Sequence, residues 1–339
     1  MKILVIQLYQ TGDVVLSTHI PRVLRELVPD ACVDFLTFAA NRPVLENNPN
    51  INEILTIKRE DSFLKFVGSA LDIRKRRYDA VVDLHNNPRS GYITFLSGAK
   101  MRITYSTTKR KIFYTHTPER AAGKAGQIKL SLLTPFAKDF DPMNCEYRPE
   151  IYPSPQSKEN ISGLLKDMGI SDDDFLVTVS PTHKRDTRRW KIEHFMDTAE
   201  YMTGRYGAKV MLTYGPGEKE YIMENVPEMP ENVFLMPELP LRDFIALIGR
   251  ARLHIGNDSA PHHIATAQNV PTFIILGSSN SGWVYGSPRH TWVSKGMDCQ
   301  PCGKRKCRIS EDIPCMGELT FEMIKDRLDS FIKDNGILS

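Results

Sequence analysis

"KILVIQLYQTGDVVLSTHIPRVLRELV", residues 2–28, begins as a continuous apolar run, turns near Gly12 and continues with apolar positions at helical spacing. This order is typical of a buried strand, a glycine turn and a helix. Further strands are predicted at 32–38, 51–57 and 78–87, with helical segments between them. Because strands alternate with helices, we expect a mostly parallel sheet that is covered on both faces.

A second alternating series follows residues 150–160, a stretch with two prolines and no periodicity that is typical of a linker. Its strands are predicted at 175–181, 209–218, 232–238, 252–258 and 270–280. Gly207 is predicted to end the helix that follows the first of these strands. We therefore predict an α/β protein of two doubly wound domains, 1–155 and 156–320, with the ligand in the cleft between them. An amphipathic helix within 321–339 is a candidate to pack across the domain junction.

Composition excludes several other classes of protein. The chain of 339 residues is too long for one ordinary core of about 100–200 residues, which supports two domains. Its formal net charge of +3 gives no argument for a nucleic-acid partner. No apolar run approaches the roughly 18 residues of a membrane span, and no cleavable signal is recognised. Six cysteines in a chain of this length do not suggest a disulfide framework, so we expect a cytoplasmic protein.

The first glycine turn carries a carboxylate. Asp13 follows Gly12 directly, at the end of a strand and the start of a helix, where doubly wound folds face their ligands. Two interpretations are open at this point: Asp13 acts as a general base, or it caps the helix. A dinucleotide fingerprint needs three glycines at this turn, and only Gly12 is present, which argues against a nicotinamide enzyme.

A basic loop follows the first strand of the second domain. "SPTHKRDTRRW", residues 180–190, combines hydroxyl groups with positive charge at a strand end. Such groups suit a phosphate-bearing ligand through charge-assisted hydrogen bonds. The candidate side chains are Ser180, Thr182, Lys184 and Arg188. The alternative is a solvated basic loop.

The next strand ends in "TYGPGEKE", residues 213–220, which places Glu218 beside two glycines. Gly215 and Gly217 allow the backbone to pass close to a ligand, and a carboxylate there can accept both hydroxyls of a ribose. The alternative is an ordinary loop in which Glu218 caps the following helix.

A helix start is predicted within "IGNDSAPHHIATA", residues 255–267. Asp258 and Ser259 are preferred N-cap residues, and Pro261 is acceptable only in a first turn, so the helix should begin near 258–260. The unpaired N–H groups of such a turn form an anion site without any metal.

The same stretch also invites a metal site. Asp258 and His262 are four residues apart, but a further ligand is missing from the usual spacings. Adjacent side chains diverge by about 100° on a helix, so we expect His262 and His263 not to share a ligand.

Four cysteines crowd into "CQPCGKRKCRISEDIPC", residues 299–315. Four thiolates are the right number for structural zinc or an iron–sulfur cluster, although the spacing is not that of a standard zinc ribbon. Reduced thiols without a metal are the alternative. The candidate ligands are Cys299, Cys302, Cys307 and Cys315.

Basic clusters in the first domain point to an acidic acceptor or an anionic lipid surface. They are "RKRR" at 74–77, "KRK" at 109–111 and Arg89. For 74–77 a solvated helix face is the favoured interpretation, because the cluster continues a helix.

Taken in order, these stretches resemble bacterial glycosyltransferase family 9, the heptosyltransferases of lipopolysaccharide core synthesis. The similarity spans nearly the whole chain. The matching stretches are "GDVVLSTHIPRVLRE", "ENNPNINEI", "YDAVVDLHNNPRS", "LSGAK", "RRW", "GPGE", "IGNDSAPHHIATA", "VPTFIILGSS" and the cysteine-rich segment. The resemblance implies a GT-B fold, in which two Rossmann-like domains face each other across a cleft. It implies that the first domain binds the acceptor, that the second binds the nucleotide-sugar, and that transfer is inverting and metal-independent.

The resemblance also assigns roles to individual residues. Asp13 falls where the family has its catalytic base, Arg188 where many members have a lysine on the donor diphosphate, and Glu218 where an acid binds ribose. The other donor-binding positions are Leu239, against the base, and the phosphate stretch Asp258, Ser259, Ala260 and His263. His262 falls on a variable position. On the first domain the acceptor-binding candidates are Gly12, Arg89, Lys109 and Lys111.

Three residues depart from the family pattern. Gln7 replaces an arginine, Arg188 replaces a lysine and Ala260 replaces a glycine. An arginine can keep a diphosphate contact, and an alanine keeps its backbone N–H. The departures therefore bear on the identity of the donor more than on the fold.

The implied reaction is transfer of heptose from ADP-heptose to a lipopolysaccharide core or related glycan, without a required cofactor. A lipid-linked acceptor implies peripheral contact with the cytoplasmic face of the inner membrane, and we expect a monomer. Two alternatives are a non-catalytic sugar-nucleotide-binding protein and a nicotinamide-dependent oxidoreductase.

Overall fold

Residues Met1–Tyr152 form one compact unit around a five-stranded parallel sheet. The computed structural model describes residues 1–338, the side chain of Phe63 excepted. The strands are β1 Lys2–Ile6, β2 Cys32–Phe38, β3 Glu53–Ile57, β4 Ala80–Asp83 and β5 Met101–Ile103, in the order β3-β2-β1-β4-β5. The helices are α1 Thr11–Val15, α2 Ile20–Leu27, α3 Arg42–Leu45, α4 Phe63–Lys75, α5 Pro88–Leu96 and α6 Ala125–Leu130.

Residues from Pro153 onward form a second unit around a six-stranded parallel sheet. The strands are β6 Leu176–Ser180, β7 Lys209–Leu212, β8 Val233–Leu235, β9 Leu253–Asn257, β10 Thr272–Ile275 and β11 His290–Val293, in the order β11-β10-β9-β6-β7-β8. The helices are α7 Pro155–Asp167, α8 Ile192–Tyr206, α9 Lys219–Asn225, α10 Leu241–Arg250, α11 Ala260–Ala267, α12 Pro314–Gly317 and α13 Phe321–Asp334. The predicted α/β architecture with two parallel sheets is confirmed.

Each sheet reverses its strand order at one point. In the first unit the chain passes outward from β1 and returns to place β4 on the other side of β1. In the second unit β9 returns to the other side of β6, and Ser180 of β6 pairs with Gly256 of β9. Ligands of open parallel sheets bind at the carboxyl ends of the strands beside such reversals. The turns after β1, β6 and β9 are therefore the places to look for a site.

The cores explain why these strands are interior. β1 and β4 are buried along almost their whole length, as expected for strands covered on both faces. In the second unit the core gathers the large side chains Trp190, Phe195 and Phe273. The helix α13 adds Phe331 and other apolar residues to that same core. Ser339, the last residue of the predicted segment 321–339, lies outside the described residues, and packing across the junction stays a prediction.

Some predicted elements have other bounds. The single helix predicted after Asp13 is divided into α1 and α2, and Pro21 lies in the first turn of α2, where its missing N–H is not needed. The predicted linker 150–160 is partly helical, because Ser154 caps α7 by accepting a hydrogen bond from the Ser157 N–H at 3.0 Å. Gly207 ends α8 in the left-handed conformation, with φ of 64°, as predicted.

Between Met1 and Leu338, the structure contains no helix with the length and hydrophobicity needed to cross a bilayer.

Candidate active site

In the first unit, Asp13 lies in the first turn of α1. The N-cap position of this helix belongs to Gln10, whose carbonyl accepts a hydrogen bond from the Asp13 N–H at 3.0 Å. Asp13 is half-buried at the carboxyl end of β1. Gln10 and not Asp13 therefore occupies the N-cap position, and Asp13 lies in the first turn at the carboxyl end of β1.

Hydrogen bonds from Asn41, in the turn after β2, and from Ser17 hold this turn. Asn41, buried after β2, accepts from the Thr11 hydroxyl at 2.9 Å and donates to the Tyr9 carbonyl at 3.1 Å. The Ser17 hydroxyl donates to the Asp13 carbonyl at 2.7 Å. The backbone around Asp13 is thus held on both sides.

A buried lysine lies near Asp13. Burial lowers the pKa of Lys129 on α6, whereas the charge of Asp13 raises it, and the charge of Arg120 acts with burial. Burial also lowers the pKa of His19 to about 3, with Lys129 acting in the same direction. Asp13 therefore shares its surroundings with a buried lysine and a neutral imidazole. Sequence reasoning missed Lys129, because it lies 116 residues away with no motif around it.

The four acceptor-binding candidates have different surroundings. Gly12 lies beside Asp13 within α1. Arg89 donates to the carbonyls of Arg59 at 2.9 Å and of Asp61 at 3.3 Å, so its guanidinium fastens the loop before α4. Lys109 and Lys111 are exposed. Acceptor binding by these residues stays a prediction, and Arg89 already has a structural role.

In the second unit, Asn257 joins the ends of β6 and β9. Its side-chain carbonyl accepts from the Trp190 N–H at 2.9 Å, and its amide donates to the Pro181 carbonyl at 3.0 Å. Asn257 is fully buried. The loop between Pro181 and Trp190 is therefore tied at both ends to the end of β9. Sequence reasoning did not single out Asn257, although a polar residue that ends a buried strand was a usable signal.

The basic loop forms an ion pair with the start of α11. Arg188 donates to Asp258 with a distance of 3.1 Å between Nη1 and Oδ2, and the Asp258 side chain is buried. Next to Arg188, the Thr187 carbonyl accepts from the Ser278 N–H at 2.9 Å. A Cβ atom at Gly277 would lie 2.3 Å from that carbonyl, so only glycine permits this approach.

The helix α11 begins where the sequence predicted. Ser259 is the N-cap in extended conformation, its side chain makes no capping hydrogen bond, and Pro261 lies in the first turn. The first N–H groups of a helix have no partner within the helix. The start of α11, with Ala260 as its first residue, thus offers N–H donors beside Arg188, an arrangement suited to an anion.

The two histidines do not diverge as expected. The rings of His262 and His263 lie 3.9 Å apart, and His262 Nδ1 lies 3.7 Å from Asp258 Oδ1. One ligand atom from each of these three residues falls within 4.8 Å of the others, so rotation about the side-chain bonds overcomes the divergence of the backbone. The ring nitrogens of both histidines are thus close enough to approach one ion, against the expected divergence. A cation bound there would share the Asp258 carboxylate with the Arg188 guanidinium.

Glu218 folds back over its own loop. Its Oε2 atom accepts from the Thr182 hydroxyl at 2.6 Å and from the Gly215 N–H at 3.0 Å. Glu218 occupies the N-cap position of α9, but its side chain makes no capping hydrogen bond. The structure thus brings together Thr182 and Glu218, which were predicted from different motifs. Leu239 lies half-buried in the loop before α10.

The remaining donor-binding candidates lie around the same strand ends. Ser180 and Thr213 share a hydrogen bond of 2.6 Å between their hydroxyls, and Lys184 is exposed. His183, which sequence reasoning missed, accepts from the Arg185 N–H at 2.9 Å, and burial lowers its pKa.

The four clustered cysteines lie between β11 and the end of α12. All four are free; Cys315 is buried and Cys299 is exposed. Burial raises the pKa of Cys315 to about 11, and the thiols of Cys299, Cys307 and Cys302 act in the same direction, so the four lie near one another. Within residues 1–338, however, the group at ligand spacing is the one around Asp258, not the cysteines.

The chain is similar to proteins of a known family. The sequence profile of Glycosyltransferase family 9 (heptosyltransferase) matches residues 70–312. Lipopolysaccharide heptosyltransferase 3 of Escherichia coli is 28% identical over 284 residues, which cover 79% of this chain and 81% of that protein.

Solved structures share the fold. A glycosyl transferase family 9 protein from Veillonella parvula superposes with a TM-score of 0.86 at 22% identity, over 98% of this chain and 97% of that one. E. coli ADP-heptose lps heptosyltransferase II superposes with a TM-score of 0.80 at 18% identity, over 99% and 100% of the two chains. The fold is therefore GT-B, and the chain belongs to glycosyltransferase family 9, the heptosyltransferase family.

Proposed function

We propose that this glycosyltransferase moves heptose from ADP-heptose to a hydroxyl group of a lipopolysaccharide core or related glycan, with inversion at the anomeric carbon. Family membership and the E. coli relatives named above support the donor and the acceptor class. The observation that carries the proposal is the Arg188–Asp258 pair beside the uncapped start of α11. This arrangement places a guanidinium and helix N–H groups at one strand end, and both are groups that bind a diphosphate.

The second unit binds the donor in this proposal. Arg188 and the N–H groups at Ser259 and Ala260 contact the diphosphate, with Lys184 and His263 nearby. Glu218 accepts hydrogen bonds from the ribose hydroxyls, and Leu239 packs against the base. Because positive charge and dipoles are already arranged where the leaving group gains charge, they stabilise the transition state more than the ground state.

The first unit supplies the base. Asp13 takes the proton of the acceptor hydroxyl as its oxygen attacks the anomeric carbon. The bond from that carbon to the diphosphate oxygen breaks, and ADP leaves with the electron pair. Lys129, whose pKa the charge of Asp13 raises, lies near this base.

We propose that this transfer uses no metal ion or other cofactor. Arg188 already supplies the positive charge that a divalent cation would bring to the leaving diphosphate, and a cation at Asp258 would be repelled by it. The cysteine cluster is assigned no catalytic part, and a metal held there would be structural. Turnover that persists after chelation of the purified enzyme supports this assignment, and loss of turnover restored by a divalent cation contradicts it.

We also propose a cytoplasmic monomer that acts at the inner face of the inner membrane, where lipid-linked acceptors reside. The molar mass of the purified protein, measured by light scattering, tests whether it is a monomer.

The test of function is a panel of nucleotide-sugars with a delipidated core acceptor, analysed by mass spectrometry. We expect product from ADP-heptose and a loss of turnover of about 10²–10⁴-fold in Asp13→Asn, because a positioned base contributes that much. Asp139→Asn, which changes an exposed carboxylate in the same unit, is the matched control. Donor binding without product from any acceptor would instead support a non-catalytic binding protein.

A further inference from the structure

Two neighbouring helices of the first unit expose large apolar side chains. Leu64 on α4 and Ile112 on the 3₁₀ turn Lys111–Phe113 are each 81% exposed. Leu71 on α4, and Tyr92 and Phe95 on α5, are also exposed. Single exposed apolar residues are ordinary, but a contiguous group of them marks an interaction surface.

The five side chains lie on three neighbouring elements of the first unit. Leu64 and Leu71 are seven positions apart, which places them on the same face of α4, and α4 packs along α5. The helix α5 also packs on the 3₁₀ turn. The rings of Tyr92 and Phe95 on α5 lie 5.1 and 5.2 Å from the ring of Phe113 on that turn. We call these five residues, Leu64, Leu71, Tyr92, Phe95 and Ile112, the α4–α5 patch.

Lysines surround the patch. Lys65 follows Leu64 on α4, and Lys109 and Lys111 flank the 3₁₀ turn; all three are exposed. The one acidic side chain on the exposed face of α4, Asp72, pairs with Lys75 at 3.1 Å. The patch therefore combines apolar side chains with an excess of positive charge.

We propose that the α4–α5 patch docks this protein on an anionic phospholipid bilayer. Apolar side chains at the crest of a helix, flanked by lysines, are the composition of surfaces that lie in a membrane interface. The apolar groups enter the headgroup region while the lysines meet lipid phosphates. A protein partner is disfavoured, because lysine is depleted from protein–protein interfaces.

Docking has a consequence for the proposed function. The choice of a membrane as the partner rests on that function, because its acceptor is lipid-linked. Leu64 lies in the first turn of α4, which follows β3, and α5 follows β4 directly. Parallel strands end at one edge of their sheet, so the first turns of α4 and α5 share that edge with Asp13. Docking through the patch brings the Asp13 edge to the headgroups, where the sugar of a lipid-linked acceptor begins.

The test is co-sedimentation with vesicles, in the absence of donor and acceptor. We expect the full chain to bind phosphatidylcholine vesicles that contain phosphatidylglycerol, and to bind phosphatidylcholine alone at least tenfold more weakly, because each basic residue contributes about fivefold near an anionic surface. The double variant Leu64→Ser with Ile112→Ser should bind the anionic vesicles about a hundredfold more weakly, at about tenfold for each side chain.

The matched control is the double variant Met223→Ser with Met323→Ser, which removes two exposed apolar side chains from the second unit. It should bind like the parent. Absence of binding to anionic vesicles, equal binding to neutral vesicles, or full binding by the Leu64/Ile112 variant overturns the proposal. Because the assay contains no substrate, these outcomes are independent of the transferase test. With a delipidated acceptor, the Leu64/Ile112 variant should keep the turnover of the parent.

Discussion

Asp258 connects two side chains of the donor half, because its carboxylate oxygens face the Arg188 guanidinium at 3.1 Å and the His262 ring at 3.7 Å. Turn chemistry in the sequence was sufficient to predict that Asp258 precedes a helix. The ion pair with Arg188 was not predictable, because it joins residues 70 positions apart. Lys129 escaped prediction for the same reason: its partner comes from another element, and no local pattern marks it.

Arg188 is predicted to contribute directly to donor affinity. Arg188→Ala should weaken donor binding by about 10- to 100-fold, because a hydrogen bond to a charged group contributes about 1.5–3 kcal/mol. Arg188→Lys should restore part of the loss, since the charge returns without the planar fork of donors. Calorimetric titration with the nucleotide-sugar measures both. Arg205→Ala, an exposed arginine on α8, is the control, and an unchanged affinity in Arg188→Ala would refute the diphosphate contact.

Lys129 is predicted to support the base without contacting the donor. Lys129→Met keeps the apolar stem but removes the positive charge near Asp13. We expect donor affinity to remain unchanged, and turnover on the acidic limb of the pH–rate profile to fall as that limb moves upward. A merely structural lysine would not move that limb. Lys138→Met, an exposed lysine, should leave the profile as it is.

At the scale of elements, apolar runs that end in turn residues predicted every strand of the two sheets except β5 and β11. Interior strands such as β1 are mostly apolar, because both faces of their sheet are covered. The edge strands β5 and β11 have only three and four residues, too few for any periodicity. The edge strand β8 has three residues as well, but it lies within a longer apolar stretch at 232–238.

The loop between β6 and α8 is predicted to depend on one glycine. A Cβ at Gly277 would meet the Thr187 carbonyl at 2.3 Å and the Met316 sulfur at 2.5 Å. Gly277→Ala should therefore lower the free energy of unfolding by about 1–3 kcal/mol, as overpacking does. Gly163→Ala, inside α7 with nothing within 4 Å of its Cβ position, should raise it by about 0.5–1 kcal/mol. Urea unfolding measures both, and equal stability of the two variants would contradict the steric argument.

At the scale of the whole molecule, buried histidines predict an acid-sensitive fold. Burial is the largest cause that lowers the pKa of His19 and His254 to about 3, and that of His85 and His262 to about 4. Between about pH 6.5 and pH 4 the unfolded chain binds protons that the folded chain does not. The free energy of unfolding should therefore decrease as the pH falls through that window.

Chemical denaturation at pH 7 and at pH 5 tests this dependence. Asp83 acts in the opposite direction, because burial raises its pKa, but the four histidines outnumber it. Greater stability at pH 5 than at pH 7 would show that the histidines are not neutral in the folded protein.

The position of Trp190 has an optical consequence. The chain has three tryptophans, Trp190, Trp283 and Trp292, and all of them lie after Pro153. Trp190 is fully buried, with its ring 4.9 Å from that of Phe195, and its backbone N–H is held by Asn257. Tryptophan emission therefore reports on the second unit alone, whereas the first unit contributes tyrosine signal only. Comparison of tryptophan emission with a probe of both units during denaturation will show whether the units melt together or in sequence.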